Sequence, residues 1–278
     1  MPRPPAIRTF FCLFPDDEDL GDIIELIRPL KMNNSVPSLM KVTSDLYGIG
    51  TVTTYPFART GEKTPLSDGI RRQLQQEHGV GAWCVSGAFY GASDEALEPL
   101  IARITAHFGQ SGKARYFSHE EAQDNPLLRI HSDTFSGRPT REELGLLNWR
   151  PGGGACWFLP ATPMVGTIAN GHQTLSRRIL SEHGFEYITE YVCGPRMSRA
   201  LHIIVFNRQD PEECQRMSQC YRELMAAYAE AGYPISRAPL DFQAEAMQRL
   251  ETFPQVCTDI KNALDPNGIL SPGRYGIG

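Results

Sequence analysis

The sequence contains no C-x-x-C pair. Its seven cysteines, Cys12, Cys84, Cys156, Cys193, Cys214, Cys220 and Cys257, are odd in number and widely spaced. That pattern argues against a structural zinc site and for buried free thiols in a reducing compartment, with the cytoplasm as the default. No apolar run approaches the length of a transmembrane span. The opening Met1-Pro-Arg-Pro-Pro lacks the apolar stretch and small-residue cleavage site of a secretory signal. Basic charge is not in excess: the net charge is −5, which argues against nucleic acid and anionic membranes as partners. No nucleophile-elbow motif surrounds a serine, so hydrolase chemistry finds no support. Gly152-Gly-Gly154 lacks the strand–turn–helix context of a phosphate loop. His119, His131 and His172 lack metal-ligand spacing, and low-complexity segments and sequence repeats are absent.

What is present is ordinary globular material. With 278 residues, 41% hydrophobic and 21% charged, the chain can bury a core as one large domain or two small ones. Ile7 to Phe14 is a nearly continuous apolar run, a strand covered on both faces. Acidic residues Asp16 to Asp19 open a helix carrying Leu20, Ile23, Ile24 and Ile27, which Pro29 is expected to end. One helix is expected around Leu39 to Tyr47, and Thr51 to Thr64 reads as surface loop. Trp83 to Tyr90 reads as a strand. A helix capped by Ser93 follows, with Leu97, Leu100, Ile101, Ile104 and Phe108 on one stripe, and then a short strand from Ala114 to Phe117. Thr140-x-x-Glu143 has the form of a capping box.

Ala155 to Leu159 is another strand, and a helix from Gln173 to His183 stops at Gly184. Phe185 to Cys193 and Ala200 to Asn207 form a hairpin about Gly194-Pro-Arg-Met-Ser198. Asp210-Pro-Glu-Glu213 opens a helix that runs to Gly232. The expectation is an α+β fold: an antiparallel sheet with helices mainly on one side, in two strand–helix–strand halves. Residues 1–231 would form one α+β domain and 232–278 a C-terminal clasp. That clasp begins with a strand bearing one inward candidate charge, Arg237. Amphipathic pieces built on Phe242, Met247, Leu250, Phe253, Val256, Ile260 and Leu264 follow, and then a rigid tail of Asp265-Pro-Asn-Gly and Ser271-Pro-Gly.

The tail Leu264-Asp-Pro-Asn-Gly-Ile-Leu-Ser-Pro-Gly-Arg-Tyr-Gly-Ile277 resembles the C-terminal signature of the vanillyl-alcohol oxidase and para-cresol methylhydroxylase flavoproteins. The resemblance continues through His183-Gly-Phe-Glu-Tyr-Ile188, Ile203-Ile-Val-Phe-Asn-Arg208 and Ile27-Arg-Pro-Leu30, in one register along nearly the whole chain. It implies a cap domain over the substrate, and a C-terminal segment that returns to an FAD-binding domain lying before it in the family. The chemistry it implies is oxidation of a 4-substituted phenol. An arginine at the position of Arg237 stabilises the phenolate oxygen, as its planar, always-charged fork allows. The family places a tyrosine before that arginine; here the residue is Ser236, whose shorter side chain cannot reach as far. The histidines that link FAD covalently in some members fall on a window reading Met197-Ser-Arg199, so FAD, where bound, is non-covalent at this site.

Other candidates carry two readings each. Arg237 is a surface arginine or the phenolate anchor. Glu190 and Tyr191 point to opposite faces of one strand, so one of them faces a cavity. Trp157 and Trp83 pack in the core or wall an aromatic site, and His202 is a core, surface or substrate-side histidine. Two functional readings follow, beside a third in which the chain is an inactive remnant or a purely structural subunit. In one, the chain is the substrate part of an FAD-dependent phenol oxidoreductase, with Arg237, Ser236 and Glu190 catalytic and Tyr191, Trp157 and His202 substrate-binding. It takes FAD from a partner chain or an upstream segment, or self-associates. In the other, a flavin-free cap binds an aromatic molecule or catalyses a redox-neutral proton transfer or cyclisation.

Overall fold

The computed structural model describes residues 4–36, 39–138, 140–233, 235–248 and 250–277. Among them the strands are β1 (Ala6–Phe14), β2 (Met40–Ser44), β3 (Trp83–Gly91), β4 (Arg115–Phe117), β5 (Gly154–Pro163), β6 (Thr189–Cys193), β7 (Met197–Phe206) and β8 (Ile235–Arg237). The helices are α1 (Leu20–Met32), α2 (Asp45–Val52), α3 (Phe57–Thr60), α4 (Asp68–His78), α5 (Asp94–Gly109), α6 (His119–Asp124), α7 (Pro126–Phe135), α8 (Gly166–Glu182), α9 (Pro211–Glu230), α10 (Gln243–Met247) and α11 (Thr252–Leu264). None of them is long and apolar enough to cross a membrane. The strands make one sheet in the order β4-β1-β3-β2-β6-β7-β5-β8, with every neighbouring pair antiparallel.

This order is one plan used twice. The first unit runs β1-α1-β2 and then β3-α5-β4; the second runs β5-α8-β6 and then β7-α9-β8. In each, the first strand sits between the fourth and the third, which is the ferredoxin-like βαββαβ arrangement. Strand lengths of 9, 5, 9 and 3 residues in the first unit answer 10, 5, 10 and 3 in the second. The units meet where β2 pairs with β6, Val42 opposite Tyr191. The fold is thus α+β with an antiparallel sheet in two like halves.

Strand alternation separates two cores. Phe10, Cys12 and Phe14 of β1 join Leu20, Ile23, Ile24 and Ile27 of α1, Ile104 and Phe108 of α5, Ile179 of α8 and Tyr221, Leu224 and Tyr228 of α9. Phe11 and Leu13 face the other way, toward Phe117, Ala122 and Leu128. On that second face α2, α7 and the 3-10 segment Glu142–Trp149 supply Leu46, Tyr47, Leu127, Leu146 and Trp149 against Ile188, Ile203 and Val205. The four long helices therefore share one face, and shorter pieces cover part of the other.

Local signals hold at most element ends. Ser93 Oγ accepts from the Ala96 N–H, and Asp210 Oδ1 from the Glu212 N–H with Pro211 opening α9. Gly184 ends α8 at φ +79, a conformation that favours glycine. Four expectations change. The Thr51 to Thr64 stretch, expected as surface loop, holds the end of α2 and all of α3, and Tyr55 is buried with its ring 5.5 Å from that of Trp149. Pro29 lies inside α1: the helix forgoes the bond that an N–H there would give to the Glu25 carbonyl, and Leu30 and the preceding isoleucines hold the last turn in the core. The Leu39 to Tyr47 stretch is β2 followed by α2: Met40 and Val42 alternate into the core, and pairing on both edges outweighs the helical spacing of Leu39, Val42 and Leu46. Thr140 Oγ1 does accept a backbone N–H, from Glu142 at 3.1 Å, but Glu143 turns away from it to Tyr47, so no capping box forms.

Candidate functional site

Phe158 on β5, Ala200 on β7 and Ala238 just beyond β8 all belong to the core beneath the long helices. Alternation then sends Trp157, Leu159, Arg199, Leu201 and Arg237 to the opposite face. There, over β5, β7 and β8, the described residues leave the sheet open: Trp157 is 37% and Met197 45% exposed, and Arg199 and Arg237 are exposed as well. Register places several of these residues in one cross-strand row. Thr43 pairs with Glu190, Glu190 with Leu201, and Leu159, level with Leu201, with Arg237. Three strand spacings of about 4.8 Å put the Cα atoms of Glu190 and Arg237 roughly 14 Å apart.

At one end of the row Arg237 points outward rather than inward as its sequence context suggested. The register shift at Leu159/Pro160 seats Ala238 in the core and turns Arg237 onto the open face. It makes no ion pair among the described residues, whereas Ser236 Oγ donates to the Leu159 carbonyl oxygen at 3.0 Å and staples the irregular strand. At the other end Glu190 is buried, with Lys41 Nζ 2.9 Å away and Lys41 also 3.7 Å from Glu143. The Tyr47 hydroxyl donates to Glu143 at 2.6 Å, and the buried His131 ring stacks 5.8 Å from Tyr47.

Electrostatics fix the charges of this cluster. Burial opposes the Lys41 ammonium, but the two carboxylates overcome it and hold its pKa above the usual lysine range. Burial pushes the Glu143 carboxyl up, yet Lys41 and the Tyr47 hydroxyl bring it down overall. Burial raises the Tyr47 phenol well above its usual range, with Glu190 and Glu143 adding to the effect. Burial, then Lys41, lowers His131 to about 4. Lys41 thus stays charged between Glu190 and Glu143, beside a neutral phenol and a neutral imidazole.

Of the six candidate residues, the structure brings Glu190, Trp157 and Arg237 to one face, with Ser236 in the strand beneath. Tyr191 and His202 go to the other face, because each is one residue out of phase with that row. The Tyr191 hydroxyl lies 2.8 Å from that of Tyr187. His202 uses both ring nitrogens in the core, on Thr189 Oγ1 at 2.9 Å and Ser176 Oγ at 3.0 Å, and burial lowers its pKa to about 3. Trp83 is also core, its indole N–H donating to the Asp17 carbonyl oxygen. Lys41, Tyr47, Glu143 and His131 were not expected at the site. Lys41 lay in a stretch read as helix and Glu143 in a supposed cap.

The whole chain matches a known domain. Residues 3–275 fit the family described as FAD linked oxidases, C-terminal domain. The chain belongs to the FAD-linked oxidase family. It is 32% identical over its full length to the 4-cresol dehydrogenase [hydroxylating] flavoprotein subunit of Pseudomonas putida, of which it covers 53%. The solved structure of p-cresol methylhydroxylase with substrate bound superposes with a TM-score of 0.94 at 32% identity, over 100% of this chain and 54% of that one. The 4-ethylphenol oxidase of Gulosibacter chungangensis, solved with isoeugenol, gives 0.93 at 28% identity, over 100% and 55%. The chain thus spans about half the length of these FAD-linked relatives.

FAD would need backbone N–H groups free at a helix start for its pyrophosphate. The start of α8, next after β5, does not offer them: the Gly166 N–H donates to Glu25 at 2.8 Å. A Cβ at Gly166 would lie 2.4 Å from the Gly21 carbonyl oxygen, so that end is packed against α1. Gly152 is likewise pressed against Asn207. Neither of these two glycine positions therefore offers a seat for the pyrophosphate.

Proposed function

We propose that this chain is the substrate-holding part of an FAD-dependent oxidoreductase acting on 4-substituted phenols, with FAD held mainly by a further segment or a partner chain. The observation that carries this is the row itself. A guanidinium with no ion pair among the described residues, an apolar stretch of buried Leu159 and half-buried Leu201 edged by the exposed Trp157, and the buried Lys41–Glu190 pair stand in one row across the sheet. Arg237 binds and stabilises the phenolate oxygen through charge-assisted hydrogen bonds. Ser236 shapes the strand that presents it. Glu190, paired with Lys41, accepts a proton at the far end, with Glu143 and Tyr47 behind it. Tyr191 and His202 hold the same strands from the helix side. The names of the relatives, which act on cresol and ethylphenol, support the phenol. The exposed apolar stripe of α11 supports a covering partner, either an FAD domain or a second copy.

A flavin-free cap that binds an aromatic ligand is the second reading, favoured by the closed helix start at Gly166 and by serine at 236. Visible absorption of the purified protein, before and after adding FAD and desalting, separates the two: a retained flavin band supports the first, a colourless protein the second. Arg237→Ala tests the anchor. It is expected to weaken 4-ethylphenol binding about tenfold or more; unchanged binding removes Arg237 from the site.

A further inference from the structure

The proposed phenol face carries a second exposed arginine, and the following inference rests on that reading. Arg199 pairs with Val192 on one side and Ala161 on the other. Its neighbour Ala200 is fully buried under the helices, so Arg199 projects from the same open face as Arg237. Two strand spacings across and two residues along place the two Cα atoms roughly 12 Å apart. Between them lie Leu159, Leu201 and Ala161, with Trp157 at the edge.

Nothing on this floor offsets the charge of Arg199. Its cross-strand partners are apolar, and among the described residues it makes no ion pair. Glu190, the carboxylate one row away, is already engaged by Lys41 at 2.9 Å. The two guanidiniums stand at opposite ends of this apolar stretch, each without an anion among the described residues, and a flat ligand with an anion at each end would supply both. A neutral alkyl chain opposite the phenol would leave Arg199 facing carbon.

We propose that Arg199 is a second anion-recognition residue, and that the ligand class this face prefers is a 4-hydroxyphenyl carboxylic acid. Its phenolic oxygen lies on Arg237 and its carboxylate on Arg199, and a bidentate fork at each end fixes the ring across the Leu159–Leu201 floor. The site thereby selects by the far end of the substrate as well as by its phenol.

The test is an NMR titration of the 15N-labelled full chain with 4-hydroxycinnamate and with 4-ethylphenol, for the unaltered protein, Arg199→Ala and Arg199→Lys. Hydroxycinnamate is expected to bind about threefold to tenfold tighter than ethylphenol, with shifts on β5, β7 and β8. Arg199→Ala should abolish that preference and Arg199→Lys should retain part of it. Because Arg199 is exposed between apolar partners, both variants are expected to fold. Equal affinity for the two ligands, or a preference that survives Arg199→Ala, overturns the second subsite and leaves the phenol reading standing. Binding of neither ligand on this face overturns both.

Discussion

Lys41 Nζ stands 2.9 Å from a carboxylate oxygen of Glu190, and the two side chains are only 11% and 5% exposed. They come from adjacent strands that join the two halves of the sheet. Removing the lysine strands a buried charge, so Lys41→Met is expected to destabilise the fold by about 3–5 kcal/mol. Lys41→Met combined with Glu190→Gln should recover a large part of that loss. Urea unfolding of both single variants and the double variant measures it; a double-variant loss equal to the sum of the two single losses would show that the pair is not coupled.

Stability is expected to fall with mild acid. Burial lowers His131 and His172 to about 4 and His202 to about 3, with Lys41 adding to the shift of the first and His172 to that of the last. Each is neutral when folded, whereas an unfolded histidine takes up a proton near pH 6.5. The unfolded state therefore binds more protons below that pH. Stability is complete above about pH 7 and drains away between about 6.5 and 4, by up to about 1.4 kcal/mol per pH unit for each histidine. Urea midpoints at pH 7.5 and 5.5 test the sign, and an unchanged midpoint would refute it. His202→Gln should flatten the slope.

Asp17 works in a different window. Burial pushes its carboxyl up, but Arg71 and Arg177 grip it with paired hydrogen bonds and hold it well below the usual carboxylate range. That contribution is present above about pH 4 and is lost as pH falls further, toward the folded-state pKa. Asp17→Asn, which loosens α4 and α8 from the start of α1, is expected to cost about 1–3 kcal/mol at neutral pH. A variant as stable as the parent would show that the two arginines find other partners.

The amphipathic helix α11 has no buried residue; Phe253, Val256, Ile260 and Leu264 are 58, 48, 55 and 79% exposed. Ile260→Glu should therefore change unfolding stability by less than about 0.5 kcal/mol. It should, however, reduce binding of a hydrophobic dye and any self-association seen by sedimentation. A large loss of stability would mean that this stripe packs on the chain itself.

The halves of the fold were legible because their signals are local: an apolar run for β1, caps at Ser93 and Asp210, and glycine after α8. Trp157 and Arg237 could be singled out as candidates from short stretches too, the tryptophan from its strand-like run and the arginine from its proline-flanked segment and the resemblance of the C-terminal stretch. Lys41 and Glu143 were not. Met40-Lys-Val-Thr-Ser44 spaces its apolar residues in a way that serves a helix nearly as well as a strand, and only pairing to β3 and β6 decides between them. The proposed site is a row across strands, and the pairing of Thr43 with Glu190 joins residues far apart in the chain. No pattern within one segment encodes that register. The same lack of register hid the outward turn of Arg237, which depends on the shift at Leu159/Pro160.

The joining of β2 to β6 has a consequence for how the sheet ends. Each unit presents two outer strands, one of five residues and one of three, and the fusion spends both five-residue edges on each other. What remains at the rims is β4 and β8, three residues apiece. An incoming strand would find too few unpaired backbone groups at either rim to hold on. The duplicated architecture is thus self-terminating: joining two copies uses up the surfaces by which a third would be added, so association is left to side-chain faces rather than to sheet growth.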